Sequence, residues 1–173
     1  MLIRKATAAD TAAIVAIFDA SHTEEEAGRT TIGWLRGVYP TVEVVETGLA
    51  CSDLYVMEED SAVVAVCRIN AEQGDCYFGA PWLYGATPEQ VLVLHTLIVD
   101  PARKNRGYGS SFVAYYEAEA RRRGCAVVRL DTNARNEKAR RLYARLGYRE
   151  ADIVPTVFNG IPGVDLVLLE KKL

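Results

Sequence analysis

Residues 91–109 read V-L-V-L-H-T-L-I-V-D-P-A-R-K-N-R-G-Y-G. The run from Val91 to Val99 is apolar except at His95 and Thr96 and rich in β-branched residues, so it predicts a central strand. Asp100-Pro101 ends that strand. A basic turn follows, with Arg103, Lys104 and Arg106, and two glycines flank Tyr108 where a helix is expected from about Gly107 to Arg123. Phe112, Tyr116 and Ala120 recur at helical spacing with Val113 beside them, which gives that helix one buried stripe. A strand that runs into a glycine-bearing turn and a helix N-terminus is suited to holding phosphate.

Toward the N-terminus, Ile3 to Ala6 read as a short strand. Thr7 and Asp10 form a capping-box pattern that opens a helix burying Ile14, Ile17 and Phe18. Glu24-Glu25-Glu26 are expected in a loop. A second helical piece is expected to carry Ile32, Trp34, Leu35 and Val38 and to stop at Pro40, with Trp34 and Tyr39 read first as packing residues. Leu54 to Met57 and Ala62 to Ile69 then read as strands joined by the turn Glu58 to Ser61. Residues 71–90, with three glycines and two prolines, form a long connection that also carries Tyr77, Phe78, Trp82 and Tyr84. Such a connection either shapes a substrate pocket or folds back on the sheet.

On the C-terminal side, Cys125 to Leu130 read as a strand and Asp131-Thr132-Asn133 lead to a helix. Ala139, Leu142, Tyr143 and Leu146 lie on one face of that helix, with Glu137 and Arg141 paired across one turn. Tyr148 to Val154 and Val164 to Leu169 are expected to pair across Asn159 to Gly163. The predicted order is β-α-α-β-β-β-α-β-α-β-β, an α/β chain with a mixed sheet and helices on its faces. One domain over residues 1–173 accounts for all of it.

The totals are those of a globular chain, half hydrophobic and a quarter charged. No apolar run approaches the ~20 residues needed to span a bilayer, and the N-terminus lacks the apolar core of a signal peptide. A cytoplasmic protein without membrane attachment is therefore expected. Cys51, Cys67, Cys76 and Cys125 have no metal-ligand spacing and read as free thiols, so no metal is expected. The net charge of −3 is divided unevenly: residues 101–150 hold 13 Lys and Arg against 5 Asp and Glu, leaving 7 against 18 elsewhere. A basic half suits a polyanionic ligand, and an acidic remainder suits a cationic one. Arg121 to Arg123, Arg140, Arg141 and Arg145 are spaced as polar helix faces without stacking aromatics, so nucleic acid is not the expected polyanion.

The helix start near Gly107 is the sharpest local signal. None of Arg106, Gly107, Tyr108 and Gly109 can cap it with a side chain, and Lys104 and Arg106 add positive charge to the positive end of the helix dipole. A bound anion answers both problems by accepting the N–H groups of Gly107 to Ser110 and neutralising the cations. The segment is neither a Walker loop nor a dinucleotide fingerprint, since residue 112 is Phe112.

Lys104-Asn105-Arg106-Gly107-Tyr108-Gly109 resembles the acyl-CoA signature of the GNAT N-acetyltransferases. That signature runs Gln or Arg, two variable residues, Gly, one variable residue, then Gly or Ala; Lys104 departs from its first position. A second block, Asn136, Ala139, Leu142-Tyr143 and Leu146-Gly147-Tyr148, is similar to another helix of the same family. The resemblance implies a GNAT fold and an acetyl-CoA-dependent transfer to a primary amine by direct attack in a ternary complex. It implies that Leu97, Ile98 and Val99 bind pantetheine through their backbone, with the Leu97 N–H polarising the thioester carbonyl. Lys104, Asn105, Arg106, Gly107, Tyr108, Gly109 and Ser110 would take the pyrophosphate, and Asn136 would reach the pantetheine arm or cap its helix.

By the same resemblance Tyr143 protonates the leaving thiolate; read by spacing alone it is a core tyrosine. His95 is two residues before Leu97, hence on the same face of a regular strand, and is either the base that deprotonates the amine or a hydrogen-bonded strand histidine. Residues 18–40 and 71–90 would shape the acceptor pocket. Glu24, Glu25, Glu26, Glu72 and Asp75 favour a small cationic amine over a protein lysine or N-terminus. A non-catalytic acyl-CoA sensor is the remaining alternative. Similar proteins commonly pair as homodimers.

Overall fold

A computed structural model describes residues 1–173. Seven strands join one sheet, and the elements follow the expected order. They are β1 (Leu2–Lys5), α1 (Thr11–Glu26), α2 (Val42–Ala50), β2 (Leu54–Glu59), β3 (Ala62–Asn70), β4 (Val91–Val99), α3 (Tyr108–Arg122), β5 (Val127–Asn133), α4 (Glu137–Arg145), β6 (Arg149–Phe158) and β7 (Ile161–Lys172). The spatial order is β1-β2-β3-β4-β5-β7-β6. Only β4 and β5 run parallel, connected through α3; every other neighbouring pair is antiparallel.

Each face of the sheet has its own core. Phe112, Val113 and Tyr116 of α3 and Tyr143 of α4 pack on one face with Leu92, Leu94 and Leu130. Ile14, Ile17 and Phe18 of α1 and Val45 of α2 pack on the other with Val56, Val66 and Ile98. Full burial of a side chain such as Phe112 is worth about 1.5–3 kcal/mol. Beside the α1–α2 core, Val91, Val93, Val127 and Leu168 form a third cluster with Tyr77 of the long 71–90 connection. That connection is folded onto the sheet. Buried Glu170 of β7 accepts the backbone N–H groups of Leu83 and Tyr84, and the Arg129 guanidinium stacks 4.1 Å from the Trp82 ring.

Three expectations are corrected. Glu24, Glu25 and Glu26 belong to the last turn of α1, where each is engaged: Glu24 by Arg29, Glu25 by the N–H groups of Ile32 and Gly33, and Glu26 by Arg36. The stretch with Ile32, Trp34, Leu35 and Val38 is not helical. Gly33 and Gly37 adopt left-handed angles that break a helix, and Leu35 bridges to Tyr39 instead. The second helix begins after Pro40, at Val42, and its three valines had hidden it, since β-branched residues are indifferent helix formers. The third correction is at the C-terminus, where β6 runs on to Phe158, β7 is longer at both ends than expected, and the hairpin closes on Asn159-Gly160.

The site is set by one irregularity in β4. The β3–β4 ladder runs through Asn70↔Val93, Ile69↔Leu94 and Arg68↔His95, then slips and resumes at Val66↔Ile98. Thr96 and Leu97 thus face one residue, Cys67, and Thr96 takes φ +54°. This is a β-bulge, and it inverts the alternation of side chains. Leu92 and Leu94 point to the α3–α4 face; beyond the bulge, Leu97 and Val99 do so and Ile98 points to the α1–α2 face. The parallel β4–β5 ladder also stops here, its last rung being Leu94↔Leu130. From His95 onward β4 and β5 are separate.

Candidate active site

On the α3–α4 side, the turn after β4 makes a backbone cradle. Asp100 accepts the Ala102 N–H and caps the short turn Pro101–Arg103. Gly107 is the N-cap of α3 at φ +81°, with open space where a Cβ would stand, and it provides no side-chain cap. The N–H groups from Gly107 to Ser110 have no acceptor within the protein; the first to be used is that of Ser111, which donates to Gly107. Tyr108 contributes backbone only, its buried ring turned inward with the hydroxyl donating to Glu59. A Cβ on Gly109 would press on Leu142 at 3.3 Å, so that glycine lets α3 and α4 meet. Unmet donors at a helix start, open on the ligand side, fit a pyrophosphate.

The charges around this cradle are not all those expected. Lys104 is paired with Glu24 at the end of α1, whereas Arg106 has no carboxylate partner. Lys138, which sequence reading had not singled out, places its Nζ 3.5 Å from Asn105 Oδ1 and adds a cation. At the far end of the same face, a small cavity of about 90 Å³ is lined by Leu97, Thr96, Asn136, Ala139 and Tyr143. Asn136 Oδ1 accepts the Ala139 N–H at 3.2 Å, so it caps α4 and leaves its amide N–H groups for other partners. Tyr143 is buried, its hydroxyl bonded to no protein group, and burial raises its pKa well above the usual phenol value. It is a neutral donor at any physiological pH.

On the α1–α2 side lies a larger cavity of about 730 Å³, walled by Tyr39, α2, residues 72–77, and the tip of the β6–β7 hairpin. His95 points into it, and Leu97 does not line it. The two side chains are separated onto opposite faces by the bulge, against the same-face expectation for a regular strand. His95 Nε2 donates to Asn70 Oδ1 at 2.9 Å, because Asn70 turns its amide N–H toward Asp53. Burial, reinforced by the Arg68 guanidinium, lowers the His95 pKa to about 4, so the ring is neutral. Arg68 is itself clamped by both oxygens of Asp53, at 2.9 and 2.7 Å.

The two cavities share Leu94, Thr96, Asp131, Phe158 and Leu166. They therefore meet in the gap where β4 and β5 part. The Tyr39 hydroxyl is hydrogen-bonded to Thr96 in the wall between them. Two cavities meeting at a strand split, one beside a phosphate cradle, allow a group to pass from one ligand to another.

Residues 18–148 match the sequence model of the acetyltransferase (GNAT) family. The chain belongs to that family. It is similar to an uncharacterized N-acetyltransferase of Methanocaldococcus jannaschii, 28% identical over 101 residues, which are 58% of this chain and 45% of that protein. An aminoalkylphosphonate N-acetyltransferase of Salmonella typhimurium is 34% identical over 58 residues, 34% of this chain and 38% of that protein. The chain thus spans less than half the length of either relative. A Salmonella typhimurium acetyltransferase whose structure holds acetyl-CoA shares the fold at TM-score 0.72 and 21% identity, over 100% of this chain and 94% of that one.

In this GNAT chain the cradle, the β4 edge, Asn136 and Tyr143 lie along one face of the sheet. Two features were out of reach of sequence reading. The bulge at Thr96 has no residue signature, since neither Gly nor Asn marks it. Asp131 was read as part of a connection to α4, yet it belongs to β5 and borders both cavities. Its raised pKa, pushed to about 6 by burial, is a property of the folded cavity alone.

Proposed function

We propose that this GNAT protein is an acetyl-CoA-dependent N-acetyltransferase acting on the primary amine of a small molecule. The observation that carries this reading is the meeting of the cradle-side cavity with the larger one at Thr96 and Asp131. The acceptor space, walled on several sides, supports a small amine over a protein segment, which would need a shallow open groove. Of the five acidic residues first associated with the acceptor, Glu72 and Asp75 line it, while Glu24, Glu25 and Glu26 are engaged elsewhere.

In this mechanism acetyl-CoA supplies an activated acetyl group as co-substrate. The N–H groups of Gly107 to Ser110, with Arg106 and Lys138 nearby, hold its pyrophosphate. The strand edge at Leu97 to Val99, unpaired on the β5 side, holds the pantetheine arm together with the Asn136 amide, and the Leu97 N–H stabilises negative charge on the thioester oxygen. The neutral His95 imidazole takes the proton that the amine must lose, directly or through water. Tyr143 gives its proton to the departing sulfur. Holding amine and thioester side by side supplies much of the rate.

None of the cysteines suits an acyl-enzyme route. Burial raises the thiol pKa of Cys67, Cys76 and Cys125, and Cys51 lies outside both cavities. The test is a thermal-shift measurement with acetyl-CoA and CoA, followed by thiol release across a panel of amines. Stabilisation by both CoA species and amine-dependent release are expected. Indifference to both would overturn the reading.

A further inference from the structure

Asp131 is the first residue of β5 beyond the last β4–β5 rung, as His95 is on β4. The pleat sends both away from Leu94 and Leu130, toward the larger cavity. Asp131 Oδ2 accepts the Tyr77 hydroxyl at 2.9 Å, and Tyr77 is buried and held in place by its ring contact with Trp82. Oδ1 has no hydrogen-bond partner within the protein, and no cation pairs with the carboxylate. Asp131 is thus a fixed, half-used carboxylate at the junction of the two cavities.

The remaining charges point the same way. Four carboxylates line the larger cavity, from Glu43, Glu72, Asp75 and Asp131, against the single guanidinium of Arg68. Arg68 is occupied by Asp53, so no free cation faces the space. An acceptor bearing a phosphonate or carboxylate would find no counter-charge and would meet like charges instead. The rings of Tyr39, Tyr77 and Phe158 also line the cavity, and aromatic faces attract ammonium groups.

We infer that Asp131 selects the acceptor: its free oxygen receives the ammonium of a primary amine that carries no acidic group, such as an alkylamine or a diamine. This rests on the acetyltransferase reading and narrows it. It also separates this chain from the aminoalkylphosphonate acetyltransferase it resembles, whose named substrate carries the acidic group this cavity has no means to hold. Ion pairing favours the charged amine, so deprotonation belongs to the step in which nitrogen leaves Asp131 for the thioester, with neutral His95 in the same cavity to receive the proton.

The experiment measures thiol release by the purified full chain with butylamine, diaminobutane, aminobutanoate and aminopropylphosphonate. The wild-type protein is expected to favour the two acid-free amines in kcat/KM by about tenfold or more. Asp131→Asn is expected to raise KM for those amines about tenfold or more while acetyl-CoA still stabilises the variant in a thermal shift. Preference for aminobutanoate or aminopropylphosphonate, or an unchanged KM in the variant, would overturn the inference. If Asp131→Asn does not fold, the wild-type preference alone decides. Loss of acetyl-CoA binding by the wild-type chain is a different result, and it would remove the acetyltransferase reading itself.

Discussion

The two sides of the β4–β5 gap are built by different means. In the proposed mechanism the donor side is mostly backbone: the strand edge at Leu97 to Val99, the turn from Lys104, and the bare N–H groups at the start of α3. The acceptor side is mostly side chains, gathered from Tyr39, α2, the 71–90 connection, β5 and the β6–β7 hairpin. A backbone site needs glycines and turns at fixed local spacing. A side-chain site needs only that distant residues arrive together. The first leaves a compact trace in the sequence, and the second leaves almost none.

If the division is real, perturbing each side should give a different kinetic signature. The largest effect is expected at Tyr143, on the donor side. Tyr143→Phe keeps the buried ring and removes the hydroxyl, so kcat should fall by roughly 100-fold or more with acetyl-CoA binding intact. An unchanged kcat would exclude Tyr143 as the essential acid. His95→Gln probes the opposite side. Because His95 is held near pKa 4, wild-type kcat/KM should carry a limb as pH falls toward that value, where the imidazole gains a proton and can no longer accept one. The variant should lose that limb, and an unaltered limb would remove His95 from the proton path.

Gly107→Val tests the cradle. At φ +81° a β-branched residue is strained by about 1–3 kcal/mol, although its Cβ would stand in open space. Acetyl-CoA affinity, read by titration calorimetry, should fall about tenfold or more, with acceptor preference unchanged. A shift in acceptor preference would blur the two sides.

The smallest effect is on stability, and it belongs to Asp131. Burial raises its pKa to about 6 in the folded chain, above the ~3.9 of an unfolded aspartate. Its protonated form therefore favours folding below that unfolded value, and the benefit is lost as pH rises through 6. At pH above about 7 the ionised carboxylate then costs on the order of 3 kcal/mol. Asp131→Asn should melt a few degrees higher there, with the gain disappearing toward about pH 4. A variant that melts lower above neutrality would mean that Asp131 is a structural prop rather than a binding group.

The contrast also explains what sequence reading could reach. The order of strands and helices was legible because Ile14, Ile17 and Phe18, or Phe112, Tyr116 and Ala120, keep strict helical spacing. The second helix was misplaced because Ile32, Trp34 and Leu35 imitate that spacing, while Gly33 and Gly37 turn the chain and Val42 to Val45 look like a strand. His95 was singled out, but its separation from Leu97 was not legible, since one bulge residue at Thr96 reverses every side chain beyond it. Asp131 was missed because the burial that raises its carboxylate pKa exists only in the folded chain, and the Tyr77 hydroxyl it accepts lies 54 positions away.

The central claim is that acetyl-CoA and a cationic amine occupy the two cavities at once and react directly across the gap. Initial velocities measured while acetyl-CoA and diaminobutane are varied together test it most directly. A ternary complex predicts double-reciprocal lines that intersect; parallel lines, the mark of an acyl-enzyme and a single site used in turn, would contradict the account.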